Sequence, residues 1–140
     1  MKKLLLLICL TITFGITNFT FSQSTHERLI GKWQLISSSG GITGKGITIK
    51  NRTIIEFTPD CRYSHYEQDS LIRSNTYNIF KSTSKHGKQK DSGQIQFGNS
   101  SFKKSFSIHN NRLIIRESYP DGFTFIYKKV PISKTQRNGL

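Results

Sequence analysis

Cysteine is almost missing from this chain, with two in 140 residues. Cys9 lies in an apolar N-terminal run, so removal of that segment leaves Cys61 alone and excludes an internal disulfide, although exported domains often rely on them. Carboxylates are scarce as well, eight Asp and Glu against 21 Lys and Arg, for a formal net charge of +13. No ten-residue stretch after Gln23 carries helical periodicity, which excludes an α-helical core. No apolar run reaches the ~18 to 20 residues a membrane span needs, because Thr11, Thr13, Thr17, Asn18 and Thr20 interrupt the one that begins at Leu4. Length excludes a second domain: without the N-terminal segment roughly 118 residues remain, enough for one core.

What stands at the N-terminus is Met1-Lys2-Lys3, then apolar residues from Leu4 to Leu10 continuing through Ile12, Phe14 and Ile16, then Phe21-Ser22-Gln23-Ser24. A basic start, an apolar middle and a short small or polar end make a secretory signal over residues 1–22, cleaved near Ser22 or Gln23. A lipid anchor needs a cysteine after a small residue at the end of the run, whereas Cys9 follows Ile8 early in it. The expected product is a soluble exported domain over 23–140, periplasmic or secreted, with no transmembrane span. Losing Lys2 and Lys3 takes the charge from +13 to +11. That excess suits anionic partners such as nucleic acid, lipid headgroups, glycans or another envelope component. It also suits a plain solvated surface, since Lys85, Lys88, Lys90, Lys103 and Lys104 lie in or beside polar loops.

Two polar segments, 37–46 and 82–93, are too poor in apolar residues to pack and read as loops. Around them lie eight short runs rich in β-branched and aromatic residues, at about 32–37, 52–58, 62–67, 74–82, 94–98, 103–109, 112–118 and 123–130. Thr58-Pro59-Asp60-Cys61, Asn110-Asn111 and Tyr119-Pro120-Asp121-Gly122 supply turn chemistry between neighbours, which pairs them in sequence order. Trp33 and Leu35, Ile55 and Phe57, Tyr77 and Ile79, Ile95 and Phe97 alternate with polar residues. So do Phe106 and Ile108, Leu113 and Ile115, and Phe123, Phe125 and Tyr127. One apolar face over eight strands has two solutions, a closed barrel or two stacked sheets, and short sequential hairpins favour the barrel. The fold class expected is all-β, an eight-stranded antiparallel up-and-down barrel, with a short helical turn over 24–30 capped at Thr25 and closing one end.

The residues Leu29-Ile30-Gly31-Lys32-Trp33-Gln34-Leu35 carry Gly-x-Trp at the first strand after a short helical approach. A glycine-rich loop follows, then Ile55-Glu-Phe-Thr-Pro-Asp60, Tyr63-Ser-His-Tyr-Glu67 and Asp121-Gly-Phe-Thr-Phe-Ile-Tyr-Lys128. In these the chain resembles the small lipocalin-like, calycin-type proteins exported by bacteria, over nearly the whole mature length. The resemblance implies that Trp33 plugs the closed end and that Lys128 or Lys129 lies over its ring, where the family usually has arginine. It also implies that Gly40, Gly41, Gly44 and Gly46 belong to a mobile lid over the open mouth. The family's Thr-Asp-Tyr motif is replaced here by Asn110-Asn111, and Cys61 stands where relatives often have glycine.

No residue pattern argues for chemistry. Gly40 to Gly46 lacks the spacing of a P-loop, with Ser39 and Gly46 at the positions it requires for glycine and for Ser or Thr. His26, His65, His86 and His109 have no partners at metal-ligand spacing, so no metal or cofactor is expected. The carboxylates are not paired at a working distance and no nucleophile with a base is recognisable, so no catalytic residue is expected. Cys61 reads as an incidental exposed thiol. Aromatics interleaved with Arg62, Arg73 and Lys81 do not argue for nucleic acid, because most of them belong to the inward set.

Two functions remain open. The first is a monomeric binding module for a small hydrophobic or amphipathic ligand, with Tyr63, His65, Tyr77, Phe97 and Phe125 as the residues expected to line the pocket. The second is a filled barrel acting through its basic surface as an interaction or inhibitor protein of the cell envelope. A cavity of ~300 Å³ or more beneath the Gly40–Gly46 loop is the feature that separates them.

Overall fold

The computed structural model describes residues 24–41, 44–81 and 91–131. Residues 1–22, expected to be a signal, Ile42 and Thr43 of the glycine-rich loop, and His86 lie outside the described residues. A short helix α1 (Thr25–Leu29) precedes nine strands: β1 (Gly31–Ser39), β2 (Gly46–Ile47), β3 (Thr53–Phe57), β4 (Arg62–Glu67), β5 (Ser70–Lys81), β6 (Ser92–Phe97), β7 (Lys104–His109), β8 (Arg112–Arg116) and β9 (Thr124–Lys129). All pairings are antiparallel, in the order β2-β1-β3-β4-β5-β6-β7-β8-β9.

Closure comes from β1, which uses both edges. Gly31 to Gln34 pair with β3, while Trp33 to Ser39 pair with β9. A bulge between Leu35 and Ser37 throws Ile36 outward and reverses the alternation beyond it, so Ser38, opposite Phe125, turns to the lumen. With two-residue β2 as an appendage on β1, eight strands make one closed barrel compatible with a lipocalin-like fold.

Trp33, Ile55, Phe57, Tyr77, Ile95, Phe106, Ile108, Leu113, Ile115 and Tyr127 form the buried core with Leu29, and Leu35, Ile79, Phe97 and Phe125 pack against it. The period-2 set therefore lines the lumen, with Phe123 beyond the cluster, its ring 6.1 Å from that of Phe125. Room for the Phe106 ring comes from Gly93, an inward position on β6. A Cβ there would stand 3.1 Å from Phe106 Cε1 and 2.7 Å from the Phe80 carbonyl oxygen.

β5 begins at Ser70, four residues before the sequence places it. Gln68 and Asp69 both take positive φ, the backbone of a tight hairpin, so β4 turns straight into β5. The other turns use Asn110, Asp121 and, against its preference, Cys61 at φ 59°.

Strand directions give the barrel two ends. One carries α1, the β3–β4 and β7–β8 turns and the exit of β9. There Ser24, rather than Thr25, caps α1: its hydroxyl accepts from the Glu27 amide while the Glu27 carboxylate accepts from the Ser24 amide. The Trp33 Nε1–H donates to the Leu29 carbonyl at 2.7 Å. Lys129, not Lys128, lies over the indole, its Nζ 4.6 Å from the ring centroid. The register decides this: Lys129 pairs with Trp33 and shares its face, whereas Lys128 pairs with Gln34 on the exposed face. Arg28 reaches from α1 to an ion pair with Asp91, whose side chain is buried. Among the described residues no helix is long and apolar enough to cross a membrane.

Candidate functional site

At the other end, the described parts of four connections surround the barrel mouth: residues 40–41 with 44–52, 68–69, 98–103 and 117–123. Beneath them the lumen is not filled. Tyr63, Arg73, Asn75, Phe97, Asn99, Ser100, Phe102 and Lys104 line an open cup of about 360 Å³. Tyr63 and Asn75 face each other across β4 and β5, and Phe97 follows on β6. The Tyr63 and Phe97 rings meet with centroids 4.6 Å apart, and Phe57 lies beneath both at 5.5 and 6.3 Å. Gly98 tightens this wall: at φ 55° its α-carbon approaches the Asn75 side chain so closely that a Cβ would stand 2.5 Å from Nδ2.

The cup is basic. Arg73 and Lys104 line it and no carboxylate does. Lys104 also donates to Glu117 at 2.9 Å and stands 5.7 Å from the Phe125 ring. Burial pushes the Glu117 carboxyl up, but hydrogen bonds from Tyr119, from the Phe123 amide at 2.9 Å and from Lys104 outweigh it and hold the group below its usual range. Burial pushes the Tyr63 hydroxyl up to about 12, against the opposing pull of the Arg73 charge. At working pH the cup thus presents a neutral phenol, the unpaired Arg73 guanidinium, a Lys104 ammonium already bonded to Glu117, and the amides of Asn75 and Asn99.

Among the described residues, Ser38 Oγ and His65 Nε2 are lumen-side polar atoms buried with no hydrogen-bond partner. The His65 nitrogen stands 3.8 Å from Glu67 Oε1, close enough for attraction when the ring is protonated but beyond hydrogen-bond reach. Orphaned polar groups in an otherwise packed barrel are what a bound polar ligand atom would satisfy.

Of the residues expected to line a pocket, Tyr63 and Phe97 do. His65 faces the lumen outside the cup wall, and Phe125 packs on the core beside Lys104. Tyr77 lies too deep. It is 1% exposed, and its hydroxyl donates to the Thr58 carbonyl at 3.1 Å and meets His26 Nε2 at 2.9 Å, at the closed end. Arg73, Asn75 and Lys104 were legible as extensions of the Tyr77 and Phe106 alternation. Asn99, Ser100 and Phe102 sit in a loop with no periodic signal. The cup opens under this 99–102 segment, not under the glycine-rich loop. Of that loop, Gly41 is tied to the opposite turn by its amide, which donates to the Asp121 carbonyl at 3.0 Å. The amide of Gly44 donates back to the Gly41 carbonyl, and Gly46 belongs to β2. Gly40 packs so tightly that a Cβ would lie 2.7 Å from the Gly122 carbonyl oxygen.

Cys61 Sγ lies 3.9 Å from His26 Nε2. The same nitrogen meets the Tyr77 hydroxyl at 2.9 Å, so His26 and Tyr77 pack beside this thiol at the closed end, away from the mouth. Among the described residues no three His, Cys, Asp or Glu side chains come together to hold a metal ion. No protein-family model matches the chain, and no curated protein matches it significantly.

Proposed function

We propose that this chain is an exported, non-catalytic, lipocalin-like binding module that takes a small amphipathic ligand into the cup at the barrel mouth. The ligand's apolar part lies against Tyr63, Phe97 and Phe102, and a negative group meets Arg73 and Lys104. The observation that supports this is the cup itself: a volume in the range of small-molecule sites, an aromatic wall, and two cations with no carboxylate among its lining. Arg73 makes no ion pair among the described residues, so its charge is available to a ligand.

Isothermal titration with two amphiphiles of equal chain length, dodecyl sulfate and dodecyltrimethylammonium below their micellar concentrations, tests the reading. Saturable binding of the anion, weakened about tenfold by Arg73→Ala, is expected, since a charge-assisted contact is worth ~1.5 to 3 kcal/mol. Equal affinity for both would sink it. Native mass spectrometry of protein from its own envelope fraction supplies the natural ligand's mass.

The filled lower lumen and the +11 charge left without Lys2 and Lys3 favour a second reading, a barrel that acts through its basic surface. Binding of neither amphiphile, together with the bare mass alone in native spectra, is the outcome that reading expects.

A further inference from the structure

Six large apolar side chains are strongly exposed among the described residues: Ile36, Ile47, Leu71, Ile72, Phe102 and Tyr119. Scattered singly they would need no explanation. They are not scattered. Ile36 lies on the barrel wall at the bulge, but the other five all stand at the mouth end, on β2, at the start of β5, in the β6–β7 connection and in the β8–β9 turn. Phe102 is the extreme case at 75% exposure.

Each of these four tips also carries a cation beside its apolar residue. Lys45 precedes Ile47, Arg73 follows Leu71 and Ile72, Lys103 follows Phe102, and Arg116 lies at the end of β8 before Tyr119. None of these four cations is in an ion pair among the described residues, although Lys103 rests over the Phe80 ring on the outer wall. Of the rim's carboxylates, Asp69 meets Arg52, Glu117 meets Lys104 and Glu67 faces His65, while Asp121 on the Tyr119 turn makes no ion pair among the described residues and leaves that tip the least positive. The rim therefore offers apolar tips flanked by available positive charge.

We propose that the mouth end of the barrel docks on an anionic lipid surface, with Phe102, Leu71, Ile72, Ile47 and Tyr119 entering the headgroup region and the adjoining Lys and Arg meeting lipid phosphates. A protein partner would favour one contiguous apolar patch. Tips on separate loops, each with a cation beside it, match instead a surface that is apolar at depth and negative above it. Docking this way shares Phe102 and Arg73 with the cup and would turn the cup toward the bilayer.

Vesicle co-sedimentation of the chain from Gln23 onward, which contains every barrel strand and omits the apolar N-terminal run, tests this. Vesicles of phosphatidylcholine alone are compared with phosphatidylcholine mixed with phosphatidylglycerol. Binding to the mixed vesicles is expected, weakened by salt and weakened about tenfold by Phe102→Ser and again by Leu71→Ser with Ile72→Ser, while Ile36→Ser leaves it unchanged. All these positions are exposed, and equal melting temperatures check that each variant folds. Binding to mixed vesicles that Phe102→Ser and the Leu71, Ile72 pair leave untouched would overturn the proposal, because net charge alone would then explain it. Absence of binding, with sedimentation velocity showing a dimer that Phe102→Ser dissociates, would also overturn it and give the rim to a second copy. Phe102 and Arg73 belong to both the cup and the rim, so the two readings are separated by Leu71→Ser with Ile72→Ser, positions outside the cup lining, which should weaken vesicle binding and leave dodecyl sulfate binding unchanged.

Discussion

The Lys129 ammonium sits 4.6 Å from the Trp33 ring centroid while donating to the Arg28 carbonyl at 2.7 Å. One side chain thereby fixes the plug of the barrel and the end of α1. Burial, then the nearby Arg28 charge, lowers the ammonium's pKa, so the contact is held against a desolvation cost. Replacing Lys129 by Ala is expected to cost about 1 to 2 kcal/mol, read as a lower urea midpoint. Lys128→Ala on the exposed face should stay within about 0.5 kcal/mol.

The pair between Arg28 and Asp91 ties α1 to the start of β6, with the Asp91 side chain 5% exposed. Breaking it from the Asp91 side strands a guanidinium in a partly buried place. Asp91→Ala should destabilise by about 3 kcal/mol. Arg28→Ala together with Asp91→Ala should lose clearly less than the sum of the two single variants, and a double-mutant cycle by denaturant unfolding checks this.

Gly93 and Gly46 are a matched comparison. An alanine methyl at 93 meets the Phe80 carbonyl and the Phe106 ring, while at 46 its nearest neighbour is the Ser38 carbonyl oxygen at 3.9 Å. Gly93→Ala should cost about 1 to 3 kcal/mol as overpacking, and Gly46→Ala should move the melting temperature little.

Alkaline pH should unfold this barrel through its tyrosines. Burial pushes Tyr63 and Tyr77 up to about 12, with the nearby Cys61 and Asp60 adding to it for Tyr77, and Tyr127 is raised further. The unfolded chain loses these phenolic protons near pH 10, so above that the folded state binds more protons than the unfolded one. Stability is thus intact below pH 10 and falls as pH rises from 10 to 12. Tyrosinate absorbance should rise late and together with loss of structure, and a smooth titration with structure retained would contradict this.

Ser38 tests whether the lumen's orphaned polar atoms serve a ligand. Its buried Oγ has no partner, so Ser38→Ala should leave stability unchanged or raise it by up to about 1 kcal/mol. If a ligand completes that hydroxyl's bonding, the same variant binds dodecyl sulfate more weakly. Loss of stability with unchanged binding would remove Ser38 from the site.

Strand alternation carried most of the fold, because in a closed sheet a residue's parity decides whether it meets core or water. Trp33, Phe57, Ile95 and Leu113 could be assigned inward on that basis alone. The hairpin at Asn110 was legible because Asn tolerates the φ of 51° found there. Gln68-Asp69 was not, since Gln is a poor turn residue and only pairing between β4 and β5 holds it at positive φ. The cup was half legible: Tyr63 and Phe97 follow the alternation, whereas Asn99, Ser100 and Phe102 owe their place to a loop conformation.

What the residues determined unaided is local: period-2 patterning, turn positions and a capped helix before Gly31-Lys32-Trp33, each the result of interactions between near neighbours. What only the folded barrel decided is long-range. The bulge after Leu35 sets the register between β1 and β9, and that register chooses Lys129 over the adjacent Lys128. The sheet order likewise sets Arg73 on β5 and Lys104 on β7 on either side of β6 at one cup, and the antiparallel strand directions gather Leu71, Phe102 and Tyr119 on one rim. Such meetings depend on which strand edges join across the sheet, which no stretch of neighbouring residues encodes.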